Sequence, residues 1–240
     1  MAARAEVEAP AGADPDRFAR AMAAIDAANA DDPFTIVVDG VERPKEQAHA
    51  EAMVVWVRHF DPQADEAQLL AARAHHLRRW AHPRDAEPEG RAGYLRWRAE
   101  AKRRHAAEVG EILAAVGYDA ATIDRVQDLV AKKGLGRGDR PDVDGRPDPF
   151  QVHEDALCLV FLTTQFDDLV DKLGDERTVD VLARTLPKMG DRGRAAALAL
   201  DLTDRQQALV AAALHRLDAT RDESGAGGAA GAVREQGSAS

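Results

Sequence analysis

A single cysteine, Cys158, stands in a chain of 240 residues, so no internal disulfide framework is available and a reducing compartment is expected. Aromatic residues make up only 5% of the chain and β-branched residues are sparse, whereas alanine, arginine, leucine and aspartate dominate. That balance favours helix over sheet. No stretch reaches the roughly 18 consecutive apolar residues that a membrane span needs, and the N-terminus lacks the charged start and apolar run of a secretory signal. A cytoplasmic protein without a membrane partner is expected. An excess of basic charge is missing too: the formal net charge is -10, which leaves no electrostatic footprint for a nucleic acid. There is no internal repeat and no long linker, so one all-α domain is expected.

The punctuation of the chain divides it into about eight helices. Residues 1–13 lack periodicity and read as a flexible leader, residues 14–220 as the helical domain, and residues 221–240, rich in Gly, Ala and Ser, as a disordered tail. Asp14-Pro15 is a helix start, and Phe18, Met22 and Ile25 mark the buried face of a first helix ending near Asn29. Phe34 to Val38 is a short extended run or hairpin before Asp39-Gly40. The second helix spans about Lys45 to Phe60. After Asp61-Pro62 a third carries through to Trp80, and the loop Ala81 to Ala92 is a candidate rim or lid. A fourth helix runs from about Gly93 to Gly117, a suitable left-handed cap. Asp119 caps a fifth, which bears Ile123, Val126 and Val130. Gly134 to Pro149 is the candidate mobile flap. A sixth and central helix, Phe150 to Leu173, carries ALCLVFL, and shorter helices follow near 176–186, 191–200 and 204–218, the last opened by a Thr203/Gln206 capping box.

Chemistry concentrates in AARAHHLRRW, residues 71–80. Helical periodicity places Arg73 inside the stripe of Leu69, Leu70, Leu77 and Trp80, puts His76 at its edge and turns His75 away. Three other helices also turn a metal-capable side chain inward: His49 or Glu46 on the second, with Glu51 opposite, His105 on the fourth and Asp155 on the sixth. Imidazoles and carboxylates of this kind suit zinc, manganese or iron. Glu154 sits toward Cys158 and Phe161. Arg73 either pairs with Asp155 or Glu154 in a buried salt bridge or binds an anion. Arg78, Arg79 and Arg84, beside Trp80, form either a solvated face or a phosphate or carboxylate pocket. His59, His82 and His215 read as surface residues, and Cys158 as core rather than a catalytic thiol.

These motifs, with HPR at 82–84, GYLRWR at 93–98, GY at 117–118 and EDALCLVFL at 154–162, resemble the family catalogued as domain of unknown function 4202, over roughly Phe18 to Leu217. The wider succession of histidine-bearing helices and a buried aspartate is similar to the HD superfamily of metal-dependent phosphohydrolases. An HD protein has aspartate directly after its second-helix histidine, where this chain has His76 or Leu77. The resemblance implies an HD-like helical bundle with a divalent metal (Mn, Zn or Fe). On that reading His76, His105 and Asp155 hold the metal, Glu154 is a fourth ligand or general base, Arg73 and Arg79 clamp a small anionic or phosphorylated metabolite, and Trp80 walls the pocket. The expected activity is that of a metal-dependent hydrolase. The alternatives are an HD-like non-haem iron oxygenase and a non-catalytic helical binding or scaffold protein.

Overall fold

The computed structural model describes residues 7–38, 40–133, 141–142 and 145–229, with side chains as far as Leu217. Helix α1, Pro15–Ala30, begins where the aspartate–proline pair dictates: the Asp14 carboxylate accepts from the Asp16 and Arg17 backbone N–H groups at 3.0 and 3.1 Å. Ahead of it, Val7 and Ala9 pack against the core, so part of the expected leader is seated on the domain. Strands β1, Thr35–Val38, and β2, Val41–Pro44, form an antiparallel hairpin in which Thr35 pairs with Pro44. Asp39, at its turn, lies outside the described residues.

Helix α2, Lys45–Phe60, follows directly behind Pro44, which has no side chain able to cap it. Asp32 fills that role from across the hairpin. One carboxylate oxygen accepts from Phe34 N–H at 3.0 Å and the other from Glu46 N–H at 2.9 Å, satisfying a donor that a helix start leaves without a partner and fixing the position of Glu46.

Helix α3, Glu66–Ala74, opens with a complete capping box between Asp65 and Gln68 and stops six residues short of Trp80. Arg78 takes a left-handed conformation, φ 48°, and its N–H donates to the buried Asn29 side chain at 3.0 Å. The chain therefore leaves the helix at His75, and Trp80 falls in a single 3-10 turn. Helix α4, Arg91–Val116, ends as expected at Gly117, φ 96°, where Tyr118 N–H returns to Leu113 O at 3.0 Å. Helix α5, Ala120–Ala131, is capped by Asp119. Most of the expected flap, residues 134–140 and 143–144, lies outside the described residues.

The expected long sixth helix is two helices. α6, Pro149–Thr164, breaks at Gln165, φ -130° and ψ 3°, and α7, Phe166–Thr185, follows with a second break at Gly174. Just before Gln165 the Thr163 and Thr164 hydroxyls donate back to the Leu159 and Val160 carbonyls at 2.9 and 2.6 Å, a competition with the backbone ladder that bends helices. Helices α8, Asp191–Leu198, and α9, Asp204–Ala229, complete the described residues, α9 running past position 218 into the expected tail, whose residues 230–240 lie outside the described residues.

The fold is all-α apart from the hairpin. α6 is central, as its apolar circumference implies: Val152, Ala156 and Val160 belong to a core shared with α1 to α5, while Cys158, Leu159 and Leu162 join a second core with α7 to α9. No described helix is long and apolar enough to cross a membrane.

Asp155 ties the two halves. Its carboxylate accepts from Gly190 N–H at 2.8 Å, at the start of α8, and from Gln151 Nε2 at 2.9 Å. α8 comes so close that a Cβ on Gly193 would lie 2.5 Å from the Asp155 carboxyl carbon. Gly193→Ala is expected to lower stability by about 1–3 kcal/mol, the usual cost of overpacking a rigid site. An unchanged urea midpoint would show that α8 is free to move away.

Candidate metal centre and cationic cavity

The end of α3 sets the site. α3 ends at Ala74, His75 keeps αR dihedrals at φ -55° and ψ -30°, and in the turn that follows the His75 and His76 rings lie side by side with centroids 4.3 Å apart. The early stop also frees the Leu77 carbonyl from a continuing helix, and that carbonyl accepts the Nδ1–H of His105 on α4 at 2.7 Å. His105 is thereby brought to a centroid distance of 5.7 Å from His76. Glu46, held at the start of α2 by Asp32, completes the group. One ligand atom each from Glu46, His75 and His76 lie within 4.8 Å of one another, and His105 adjoins them.

The hydrogen bonds fix which nitrogens are available on His75 and His105, while His76 Nε2 faces Arg79 Nη1 at 3.4 Å. His75 Nδ1 donates to Ala72 O at 3.1 Å, as His105 Nδ1 does to Leu77 O, so both imidazoles present an Nε2 lone pair. Both Nε2 atoms are buried and have no hydrogen-bond partner among the described residues. An imidazole whose Nδ1–H is tied to a backbone carbonyl while Nε2 points at open space is the arrangement metal-ligating histidines adopt. Glu46 Oε2 faces His49 Nδ1 at 3.4 Å and His76 Nδ1 at 3.5 Å. These are charge–dipole contacts at the long limit of hydrogen bonding rather than formed bonds, and Oε2 makes no bond of good geometry. His49 stands behind Glu46, its Nε2 3.1 Å from the Thr164 hydroxyl.

Protonation follows from burial. His76 falls to about 3, from burial first and then the nearby Arg79. In His105 burial outweighs the favourable Leu77 carbonyl and the value falls to about 4. His153 falls to about 3, from burial and then Lys132; His75 lies well below the ordinary imidazole range for the same first reason. For Glu46, burial pushes upward but His49 and His76 outweigh it, so its carboxyl lies well below the usual range. The group is thus neutral imidazoles around a carboxylate, the state a divalent cation requires.

The histidines form one end of a cavity of about 430 Å³, within the usual range for small-molecule sites. Six cationic side chains line it, Lys45, Arg79, Arg98, Lys102, Lys132 and Lys188, against two carboxylates, Glu46 and Glu154. In a chain of net charge -10 this is a local reversal of sign. Lys132 ends α5 in a left-handed conformation, φ 56°, and pairs closely with Glu154. Lys102 and Lys188 are both shifted below the ordinary lysine range, from burial and then their cationic neighbours.

The residues singled out from sequence divide accordingly. His76, His105, Glu154 and Arg79 meet in the cavity, and Glu154, Cys158 and Phe161 share one wall of it. Asp155 does not join them; its need for compensation is met by amide donors between α6 and α8. Arg73 is directed away from the cavity, and its fork engages Asp26 of α1 at 2.5 and 2.9 Å and Glu51 at 3.4 Å. Neither Asp155 nor Glu154 is its partner. Trp80 is half-buried outside the cavity, and the wall is Trp97, with the Arg79 guanidinium 4.9 Å from its ring centroid. Arg78 is exposed beside Glu108, and Arg84 donates to carbonyls of its own loop. His75, His153, Lys102, Lys132 and Lys188 are functional candidates that periodicity did not reveal. For His153 there was a signal: with Leu157 and Phe161 it forms an i, i+4, i+8 row on α6.

The sequence profile of the family described as "Domain of unknown function (DUF4202)" matches residues 19–210, and the chain belongs to that family. No curated protein matches it, and no solved structure does.

The neutral imidazoles, His105 and His153 buried and His76 half-buried, set an acid limit for the metal-free protein. Unfolded histidines take up protons near pH 6.5, whereas His76, His105 and His153 wait until about 3 to 4. Their contribution is complete above pH 6.5 and is lost as pH falls below it, by about 1.4 kcal/mol per pH unit for each histidine. Urea midpoints in chelator from pH 7.5 to 4.5 are expected to fall steeply below 6.5; a flat profile would contradict the burial of these rings.

Proposed function

We propose that this member of the DUF4202 family is a metal-dependent hydrolase of a small phosphorylated or otherwise anionic metabolite, acting in the reducing setting that a single buried cysteine fits. The observation that carries the reading is the junction, in one cavity, of a carboxylate and neutral imidazoles having unsatisfied Nε2 atoms with a surplus of cationic side chains. Glu46, His75 and His76 would hold the ion. Two imidazoles and one carboxylate suit zinc, manganese or iron and leave coordination positions open. When bound, such an ion supplies Lewis acidity and lowers the pKa of water toward neutrality.

The chain's own groups supply the remainder. His105 Nε2, fixed as a lone pair by the Leu77 carbonyl, is placed to accept a hydrogen bond or a proton from an attacking water. Arg79 and the lysines offer charge to anionic oxygens, with the Trp97 ring supporting the Arg79 guanidinium. His49 positions Glu46 from behind.

The same donor set of two histidines and one carboxylate is also that of non-haem iron oxygenases, and this favours one second reading. Iron in the purified protein with oxygen-dependent turnover would select it; the cationic cavity favours hydrolysis.

Protein purified without chelator is expected to contain about one transition metal per chain, and chelation is expected to lower its Tm, because a ligand of the folded state stabilises by mass action. His75→Ala is expected to abolish metal binding, whereas Asp155→Asn is expected to retain it. Elemental analysis finding no metal, with no thermal shift on adding manganese, zinc or iron, would contradict the metal centre and leave a buried polar network in a binding protein.

A further inference from the structure

Beyond Glu46, His75 and His76 the cavity holds charged side chains that have no role in holding a metal. There Lys102, Lys132, Lys188 and Arg98 converge from α4, the end of α5 and the segment before α8, around the single carboxylate Glu154. Glu154 is already taken by Lys132, and Lys102 and Lys188 make no salt bridge or side-chain hydrogen bond among the described residues. Glu154 acts favourably on both lysines, but one carboxylate against four half-buried cations leaves a net positive charge, and like charges gathered in this way are unfavourable. An anionic ligand would balance them.

α4 sets the spacing. Tyr94, Arg98, Lys102 and His105 succeed one another along its cavity face. At a rise of about 1.5 Å per residue, Lys102 lies about 4.5 Å and Arg98 about 10 Å along the axis from His105. Depth falls in the same order, from buried His105 to Tyr94, which is 44% exposed. A ligand entering past Tyr94 meets the cationic cluster before it reaches the imidazoles.

We propose that the substrate carries two separated anionic groups, one at the imidazole end of the cavity and a second, non-reacting one bound by Lys102, Lys188 and Arg98, as in a sugar bisphosphate or a phosphorylated carboxylic acid. This rests on the hydrolase reading for the reacting group alone. The lysine subsite is a property of the chain with or without metal.

The experiment separates the two. In chelator and at constant ionic strength, inorganic phosphate is expected to raise the Tm of the wild-type protein in a saturable manner, and chloride at equal ionic strength is not. Lys188→Met and Lys102→Met are expected to lose that shift. Without phosphate each variant is expected to melt at or above the wild-type temperature, because removing an uncompensated cation relieves repulsion. A purely structural lysine would instead lower the Tm when replaced. With manganese added, fructose 1,6-bisphosphate is expected to bind at least tenfold more tightly than fructose 6-phosphate, and Lys188→Met to reduce that ratio to near one. Phosphate stabilisation that survives both lysine substitutions, or equal affinity for the two sugar phosphates, would overturn the proposal. Loss of metal binding with the phosphate result intact would overturn only the hydrolase reading.

Discussion

The hydrogen bond from Arg78 N–H to the Asn29 side chain is the constraint on which the site depends. It holds Arg78 in a left-handed conformation and ends α3 at Ala74. From that stop follow the side-by-side placement of His75 and His76, the release of the Leu77 carbonyl, and the capture of His105 by that carbonyl. A helix continued to Trp80 would bury one histidine, expose the other and leave His105 without its anchor. A local backbone decision in α1 and α3 therefore becomes the tautomer and direction of a ring on α4.

The remainder of the molecule supports an expensive interior. Each unsatisfied buried Nε2 costs on the order of 1–3 kcal/mol, and the cationic end adds repulsion. Two apolar cores that meet on α6 offset these costs. The contrast with Asp155 and Arg73 is instructive. Both are buried charges, and both are saturated: Asp155 by amides of α6 and α8, Arg73 by Asp26 and Glu51. Saturation marks them as scaffold, whereas His75, His105 and Glu46 gather unsatisfied atoms in one cavity, which is what supports reading that cavity as a binding site.

Much of the fold was legible because caps and breakers act locally. Asp14-Pro15, the span Lys45–Phe60, Gly117 and Asp119 all stand where the sequence places them. Two breaks were not: α3 ends through a tertiary contact with Asn29, 49 residues away, and α6 ends through threonine back-bonding that periodicity does not register. At the site, His76 and His105 were visible as polar residues on apolar faces. A helical wheel places His75 on the opposite side because it assumes that the helix continues. The expectation of a metal at Asp155 follows from the compensation that a desolvated carboxylate requires. The requirement is real, but backbone and side-chain amides meet it. Lys132 turns inward only because it is a left-handed cap, a conformation a non-glycine residue does not announce.

The most direct test of the account is crystallographic. Crystals grown with manganese or zinc, measured at the metal's absorption edge, are predicted to show one anomalous peak bounded by the Glu46 carboxylate and the imidazoles of His75 and His76, about 2.0–2.2 Å from its ligand atoms, with His105 Nε2 facing the open side. A peak ligated by Asp155, or no peak beside these imidazoles at saturating metal, would contradict the central claim.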